Sequence, residues 1–267
     1  MNKLQKLIKE KKYLIMGILN FTPDSFSDGG DFFGKELALN QVAEMINNGS
    51  SIIDIGAEST RPGAEKVSVE EEIARLKTIL PEVREKFPDI LISIDTYKKE
   101  VAEFALENGV DILNDVYGAK GNDMAEVAAK YNVPIIVMHN GATKKGNEIK
   151  SLIADLEESI NICLTSGVKK ENIIVDPGIG FGKDAEKNLI ITRELEKLSS
   201  LGCEILYAAS RKRTTDYILG GNTNPKDRDV VSATLSLEAI RKGAKIVRVH
   251  NVKVMDDMIK TYKFLNK

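Results

Sequence analysis

Residues 90–115 read ILISIDTYKKEVAEFALENGVDILND, and this stretch holds one full repeat of the chain's architecture. Ile90–Ile94 is a short β-branched run that ends in the polar pair Asp95 and Thr96. Lys99–Glu107 then has helical periodicity, Asn108-Gly109 supplies a stop, and Ile112-Leu113 opens a second apolar run that ends in Asn114 and Asp115. Runs that are nearly continuous in apolar residues fit strands buried on both faces, which means a parallel sheet with helices packed outside it. Parallel neighbours need a helical crossover, and the segment between these runs is long enough to provide one.

The same unit recurs in both directions along the chain. Strand runs are expected at Leu14–Leu19, Ile52–Ile55, Pro134–Met138, Ile173–Val175, Ile205–Ala208 and Ile246–Val249, which with the two above makes eight. Helices are expected at Glu36–Asn48, Val69–Phe87, Met124–Tyr131, Ile149–Ser166, Glu186–Ser200, Arg228–Lys242 and Met255–Phe264, with Ser68 and Glu71 spaced as a capping box. An open, doubly wound sheet is the main competitor. Eight repeats in 267 residues favour a closed (β/α)8 barrel of the TIM type, an α/β fold read as a single domain over residues 1–267. Leu4, Leu7 and Ile8 form the apolar face of a short lead-in helix that is expected to cover the barrel bottom.

Composition narrows the function class. With 42% hydrophobic and 29% charged residues, the chain is neither disordered nor fibrous. Thirty-eight Lys and Arg against 40 Asp and Glu speak against a general nucleic-acid or membrane-surface binder. The two cysteines, Cys163 and Cys203, form no CxxC pair and no zinc-spaced set with histidine, so a reduced, cytoplasmic home is expected. No apolar run is long enough for a membrane span, and the first residues are too polar for a secretory signal.

In such a barrel the active site lies at the carboxyl ends of the strands. The residues there are Asn20; Glu58, Thr60 and Arg61; Asp95; Asn114 and Asp115; His139; Asp176; Ser210, Arg211 and Lys212; and Arg248 with His250. Polar residues are cheap where strands meet solvent, but polar residues at every strand end ask for a ligand. Asp95 and Asp176 emerge from apolar runs, where a carboxylate needs a partner: a metal, a cation such as Lys212 or Arg248, or the N–H edge of a guanidine-like heterocycle. Arg61, Arg211, Lys212, Arg248 and His250 would converge on one face, which points to an anionic group such as a phosphate. The segment DPGIGFGK at 176–183 is neither a Walker A motif nor a dinucleotide fingerprint, yet Gly178, Gly180 and Gly182 would let backbone approach a ligand closely. Phe181 is either a core plug or a wall for a flat ligand, and the Ser-, Asp- and Gly-rich residues 20–30 have the character of a mobile lid.

Several of these segments resemble the dihydropteroate synthase family: MGILNFTPDSFSDGG at 16–30, DIGAESTRPGA at 54–64, ISIDT at 92–96, DILNDVYG at 111–118, MHN at 138–140, DPGIGFGK at 176–183, SRKR at 210–213 and KIVRVHNV at 245–252. The resemblance implies a (β/α)8 barrel that joins para-aminobenzoate to 6-hydroxymethyl-7,8-dihydropterin diphosphate, using Mg2+. It implies a pterin-binding set of Asp95, Asn114, Met138, Asp176 and Lys212. Asn20 would be a magnesium ligand with Asp28. The diphosphate would be held by Asn20, Thr60, Arg61, Arg248 and His250. Phe26, Thr60, Pro62, Phe181, Ser210 and Lys212 would line the aminobenzoate pocket. Asp95, Lys212, Arg248 and His250 would carry the catalysis, and Arg248→Ala is expected to remove turnover while pterin binding persists. A homodimer through helices on the barrel side is also implied.

The chain departs from the usual family pattern at Phe21, Asn140, Lys187, Ala208, Ala209 and Arg213. A related pterin-binding methyltransferase would share the aspartates but would not need Asp28, Arg61 and the SRK segment. A regulatory barrel without turnover would not need Asn20, Lys212, Arg248 and His250.

Overall fold

Each apolar run becomes a strand, and the strands close on themselves. In the computed structural model, which describes residues 1–22, 30–59 and 66–266, β1 (Leu14–Asn20), β2 (Ile52–Gly56), β3 (Leu91–Asp95), β4 (Ile112–Asp115), β5 (Ile135–Met138), β6 (Ile173–Asp176), β7 (Glu204–Tyr207) and β8 (Ile246–Val249) form one closed parallel barrel. β1 closes it against β8, with Leu14 opposite Ile246 and Met16 opposite Arg248. The crossover helices are α2 (Gly30–Asn47), α3 (Val69–Lys86), α4 (Lys99–Glu107), α5 (Met124–Tyr131), α6 (Glu148–Thr165), α7 (Ala185–Arg193), α8 (Arg213–Ile218) and α9 (Asp229–Arg241), and α10 (Val252–Leu265) follows β8. Helix α1 (Lys3–Lys11) precedes β1 and is capped by Asn2 and Gln5 in a reciprocal box.

Two differences from the sequence reading have local causes. The expected helix at Glu186–Ser200 is broken: α7 ends at Arg193 and a 3₁₀ segment, Leu195–Leu201, follows. Helix α8 was not expected, because its six residues are too few for a periodic pattern to show. At α3, Ser68 accepts from the Glu71 amide at 3.2 Å, but the Glu71 carboxylate turns to Arg75, so half of the expected box forms.

The apolar residues fall into two shells. Outward-facing strand residues such as Ile53, Ile92, Ile94, Leu113, Val137, Val175 and Val247 pack against the helices. Leu14, Met16, Ile52, Leu91, Ile112, Ile136, Ile174, Leu206 and Ile246 fill the barrel interior, with Leu4 of α1 buried among them and Leu7 and Ile8 packed against the cluster. The lead-in helix therefore plugs the barrel at its amino-terminal end, as expected. Two residues further along the same inward faces the chemistry changes, to Asp54, Ser93, Asn114, Asp176 and Arg248, and these remain largely buried. β2, β3, β4, β6 and β8 thus place an apolar residue at the lower inward position and a polar one at the upper.

Arg84, in the last turn of α3, ties the amino-terminal side of this sheet together. It donates to the carbonyls of Pro88, Ile90 and Gly109 and pairs with Asp111 at 2.7 Å, while Asp111 also accepts from the Ile92 amide. Arg84→Ala leaves several of these acceptors unpaired, so stability should fall by about 1–3 kcal/mol. Thermal denaturation should show a Tm lower by roughly 5 °C. An unchanged Tm would mean that water replaces the guanidinium at no cost.

Candidate active site

The strands deliver buried charge to the barrel mouth. Arg248, on β8, donates from Nε to Asp54 Oδ2 at 2.6 Å and from Nη2 to Asp95 Oδ2 at 2.8 Å, crossing from β8 to β2 and β3. Asn114 donates to the same Asp54 oxygen at 3.1 Å. The other oxygens of these acids, Asp54 Oδ1 and Asp95 Oδ1, and the Ser93 hydroxyl are buried without a hydrogen-bond partner among the described residues. Buried acceptors are normally satisfied, so unsatisfied ones grouped in a barrel mouth mark a surface built for a donor-rich ligand. Burial, reinforced by the negative charge of Asp54, pushes the Asp95 carboxyl up to about 7 against the opposing pull of Arg248.

Opposite this group, Asp176 ends β6. One oxygen accepts from the Gly178 amide at 2.7 Å, and Met138 of β5 lies beside Asp176 in register. Burial raises the Asp176 pKa, while Lys212 and the Gly178 amide hold it down. Lys212, which caps α8, donates to the Ile179 carbonyl at 2.6 Å and has its Nζ 4.7 Å from the centre of the Phe181 ring. Burial depresses the Lys212 ammonium to about 8 against the attraction of Asp176 and Asp95. Asp176, Lys212 and Arg248 all act on one another electrostatically, so the segments that carry them do meet at one rim. Phe181 is half-buried with the Lys212 ammonium over its ring, so it is not a core plug.

The Ser210 hydroxyl lies 2.9 Å from His250 Nδ1 and accepts from the His250 amide, so these residues of the β7 and β8 ends form one unit. Asn20 is the last residue of β1, half-buried and in register with Gly56. Phe26, Asp28, Thr60, Arg61 and Pro62 lie outside the described residues.

Other strand-end residues are occupied by the fold. Arg211 does not join the converging cations: it grips Asp229 through two bonds of 2.6 and 2.8 Å. Asp115 accepts from the Tyr117 and Ala119 amides and from Asn122, organising its own turn. Glu58 pairs with Lys98, which also holds the buried Glu72. Gly178 and Gly182 make a close approach, but to protein backbone: a Cβ on Gly178 would meet the His139 carbonyl oxygen at 1.9 Å, and one on Gly182 the Gly141 carbonyl carbon at 2.4 Å. Arg248 is engaged by both Asp54 and Asp95.

Asp54 is the site residue that the sequence reading passed over. It sits inside the run Ile52–Ile55 rather than after it, where strand-end polarity carries no signal. The available signal was the pleat: Asp54 is two residues past Ile52, on the inward face.

The pterin binding enzyme family matches residues 16–250. A dihydropteroate synthase of Clostridium beijerinckii is 50% identical over 247 residues, covering 92% of this chain and 91% of its own. Among solved structures, a dihydropteroate synthase of Clostridium difficile determined in the presence of pteroic acid superposes with a TM-score of 0.90 at 41% identity, covering 95% of this chain and 96% of its own. One from Xanthomonas albilineans with 4-aminobenzoic acid gives 0.90 at 33% identity, covering 95% and 93%. The chain belongs to the pterin-binding enzyme family. Within it, this is a transferase whose activity is dihydropteroate synthesis.

If Asp54 contributes to the raised pKa of Asp95 by like-charge repulsion, Asp54→Asn should lower it. Carboxyl-carbon NMR of the Asp95 side chain should then show its midpoint moving below that of the parent protein, which is expected near 7. A midpoint unmoved by the change would remove the electrostatic coupling between the two acids.

Proposed function

We propose that this barrel, working as one domain, joins 6-hydroxymethyl-7,8-dihydropterin diphosphate to para-aminobenzoate, releasing diphosphate and forming 7,8-dihydropteroate. The observation that carries the residue assignment is the ring of buried groups around the mouth: unpaired Asp54 and Asp95 oxygens, Asn114 and Asp176, with Lys212 and Arg248 facing them. A pterin presents two N–H donors on its guanidine-like edge and acceptors beside them. Asp176 suits the donor edge, Asn114 can both give and accept, and Lys212 donates to the ring. Asp95, with a pKa near neutrality, can supply a negative charge where the methylene becomes cationic as its C–O bond to diphosphate breaks.

The electron pair of that bond leaves on the diphosphate. The arylamine nitrogen is neutral at pH 7 and attacks with its own lone pair to form the C–N bond, and its surplus proton passes to water. No paired nucleophile and base is needed. We assign His250, Thr60 and Arg61 to the diphosphate, and Ser210, Thr60, Pro62, Phe26 and Phe181 to the aminobenzoate pocket. Arg248 serves the cationic balance of the whole mouth.

Asn20 offers a neutral carboxamide oxygen at the end of β1, and the described residues contain no cluster of three or more acidic, His or Cys ligands. One or two protein oxygens supplemented by diphosphate oxygens form a donor set that suits Mg2+, which keeps few protein ligands. Asn20, with Asp28, would hold the ion. When bound, it offsets the charge that builds on the departing diphosphate.

We further assign the chain to a homodimer and to the cytoplasm. Tyr217, Ile218 and Leu219 at the end of α8 and Val230 in α9 are all more than two-fifths exposed, an apolar surface that a second copy would cover. Cys163 and Cys203 are both free thiols, as a reducing compartment requires. Among the described residues no helix is long and apolar enough to cross a membrane.

The reaction is tested by diphosphate release, which should require the pterin diphosphate, para-aminobenzoate and Mg2+ together; release with the pterin substrate alone would contradict it. Asp176→Asn should cut kcat/KM for the pterin substrate about 100-fold, or about 2.7 kcal/mol, because an amide cannot accept from both N–H groups. Normal pterin affinity in this variant would remove Asp176 from the site. Val230→Asp should convert the particle from dimer to monomer in light scattering at micromolar concentration, and a mass unchanged by the substitution would place the interface elsewhere.

A further inference from the structure

Lys183 closes the DPGIGFGK segment, and the chemistry proposed above does not use it. Its ammonium, with three hydrogens, lies 2.8 Å from His139 Nδ1 and 2.7 Å from the Phe181 carbonyl, with the Gly141 and His139 carbonyls sharing the third at 3.3 and 3.5 Å. His139 is buried, and its Nε2 is 3.0 Å from Asp155 Oδ2 on α6. These contacts fix one another. If Lys183 donates to Nδ1, the ring proton sits on Nε2 and points at Asp155, so the imidazole is neutral. Burial and the neighbouring ammonium both depress the His139 pKa, in keeping with that state.

The tie matters because of what it joins. Residues 139–141 and 178–182 meet backbone to backbone at Gly178 and Gly182, where no side chain can intervene. Ile179 anchors one end of the segment in the core, and beyond it Lys183 reaches carbonyls on both segments. On its other face, the glycine-rich segment presents the Ile179 carbonyl and the Phe181 ring to Lys212.

We propose that Asp155, His139 and Lys183 form a latch that positions residues 178–182, so that Phe181 and Lys212 are set for the aminobenzoate. Lys183 is a positioning residue in this scheme, which rests on the site reading above. Asp155 and Asp176 favour the Lys183 charge, Lys212 opposes it, and burial outweighs the acids, leaving the ammonium at about 7. Charged donors bind carbonyls roughly twice as strongly as neutral ones, so the latch should loosen as pH rises through neutrality.

Steady-state KM for para-aminobenzoate, measured from pH 6 to 8.5, tests this, alongside calorimetric titration of the pterin alone. The parent enzyme should show KM rising several-fold through about pH 7. Lys183→Met should raise KM at pH 6.5 about 10-fold and remove the inflection near 7, leaving only the change near 8 that belongs to Lys212, with pterin affinity within about 2-fold of the parent; Lys183→Arg should restore much of the low KM without the inflection near 7. Should Lys183→Met fail to fold, Asp155→Asn serves instead: Asp155 is half-exposed, and losing its charge should move the inflection to lower pH. The latch is overturned if KM in Lys183→Met equals that of the parent, if pterin affinity falls as much as aminobenzoate affinity, or if Asp155→Asn leaves the inflection in place. Absence of condensation by the parent enzyme would instead overturn the site reading itself.

Discussion

A guanidinium enclosed in a barrel of Ile, Leu and Met must be neutralised where it stands, and Arg248 is neutralised by Asp54 and Asp95 at 2.6 and 2.8 Å. That pairing sets the rest of the mouth. It uses one oxygen of each acid on the arginine and, among the described residues, leaves the other without a partner, which is the surface proposed for the ring. Removing one member of a buried pair strands the other, at a cost that can reach about 3–5 kcal/mol. In the proposed function, stability and ligand binding therefore draw on the same side chains.

Around this cluster the two lysines repeat the logic in milder form. Lys212 and Lys183 are depressed by burial to about 8 and about 7, each opposed by the attraction of Asp176. Both donate to carbonyls of the glycine-rich segment between β6 and α7. A loop whose packing rests on Ile179 alone is thus also held by charge from two sides, and its geometry depends on proton occupancy in a way that an apolar loop would not. Because the unfolded chain would hold these protons up to about 10.5, the cost of keeping each lysine charged in the folded state disappears as pH rises above its folded pKa. Stability should gain from both groups between those limits, even as the clamps weaken.

The strand runs and their order were readable because both are local: a buried parallel strand needs several consecutive apolar residues, and a crossover needs a helix's length of chain. Asp95, Asn114, Asp176, Lys212 and His250 were readable because each follows such a run. Arg211 looked equivalent to Lys212, its neighbour, but takes a positive φ and turns to Asp229, a partner 18 residues away that no local pattern announces. His139 was seen as a strand-end polar residue, and its relation to Lys183, 44 residues on, became visible only when β5 and β6 were placed side by side.

The amino-acid sequence alone determined the repeat, the closed barrel and the roster of chemistry-bearing residues at its carboxyl rim, since strand propensity and strand ends are properties of short segments. Only the tertiary structure decided which of those residues face the axis and with whom they pair. Asp54 and Ile53 are adjacent in the chain, yet one meets Arg248 and the other a helix, because the pleat sends neighbours to opposite faces and barrel closure brings β8 across to β2 and β3.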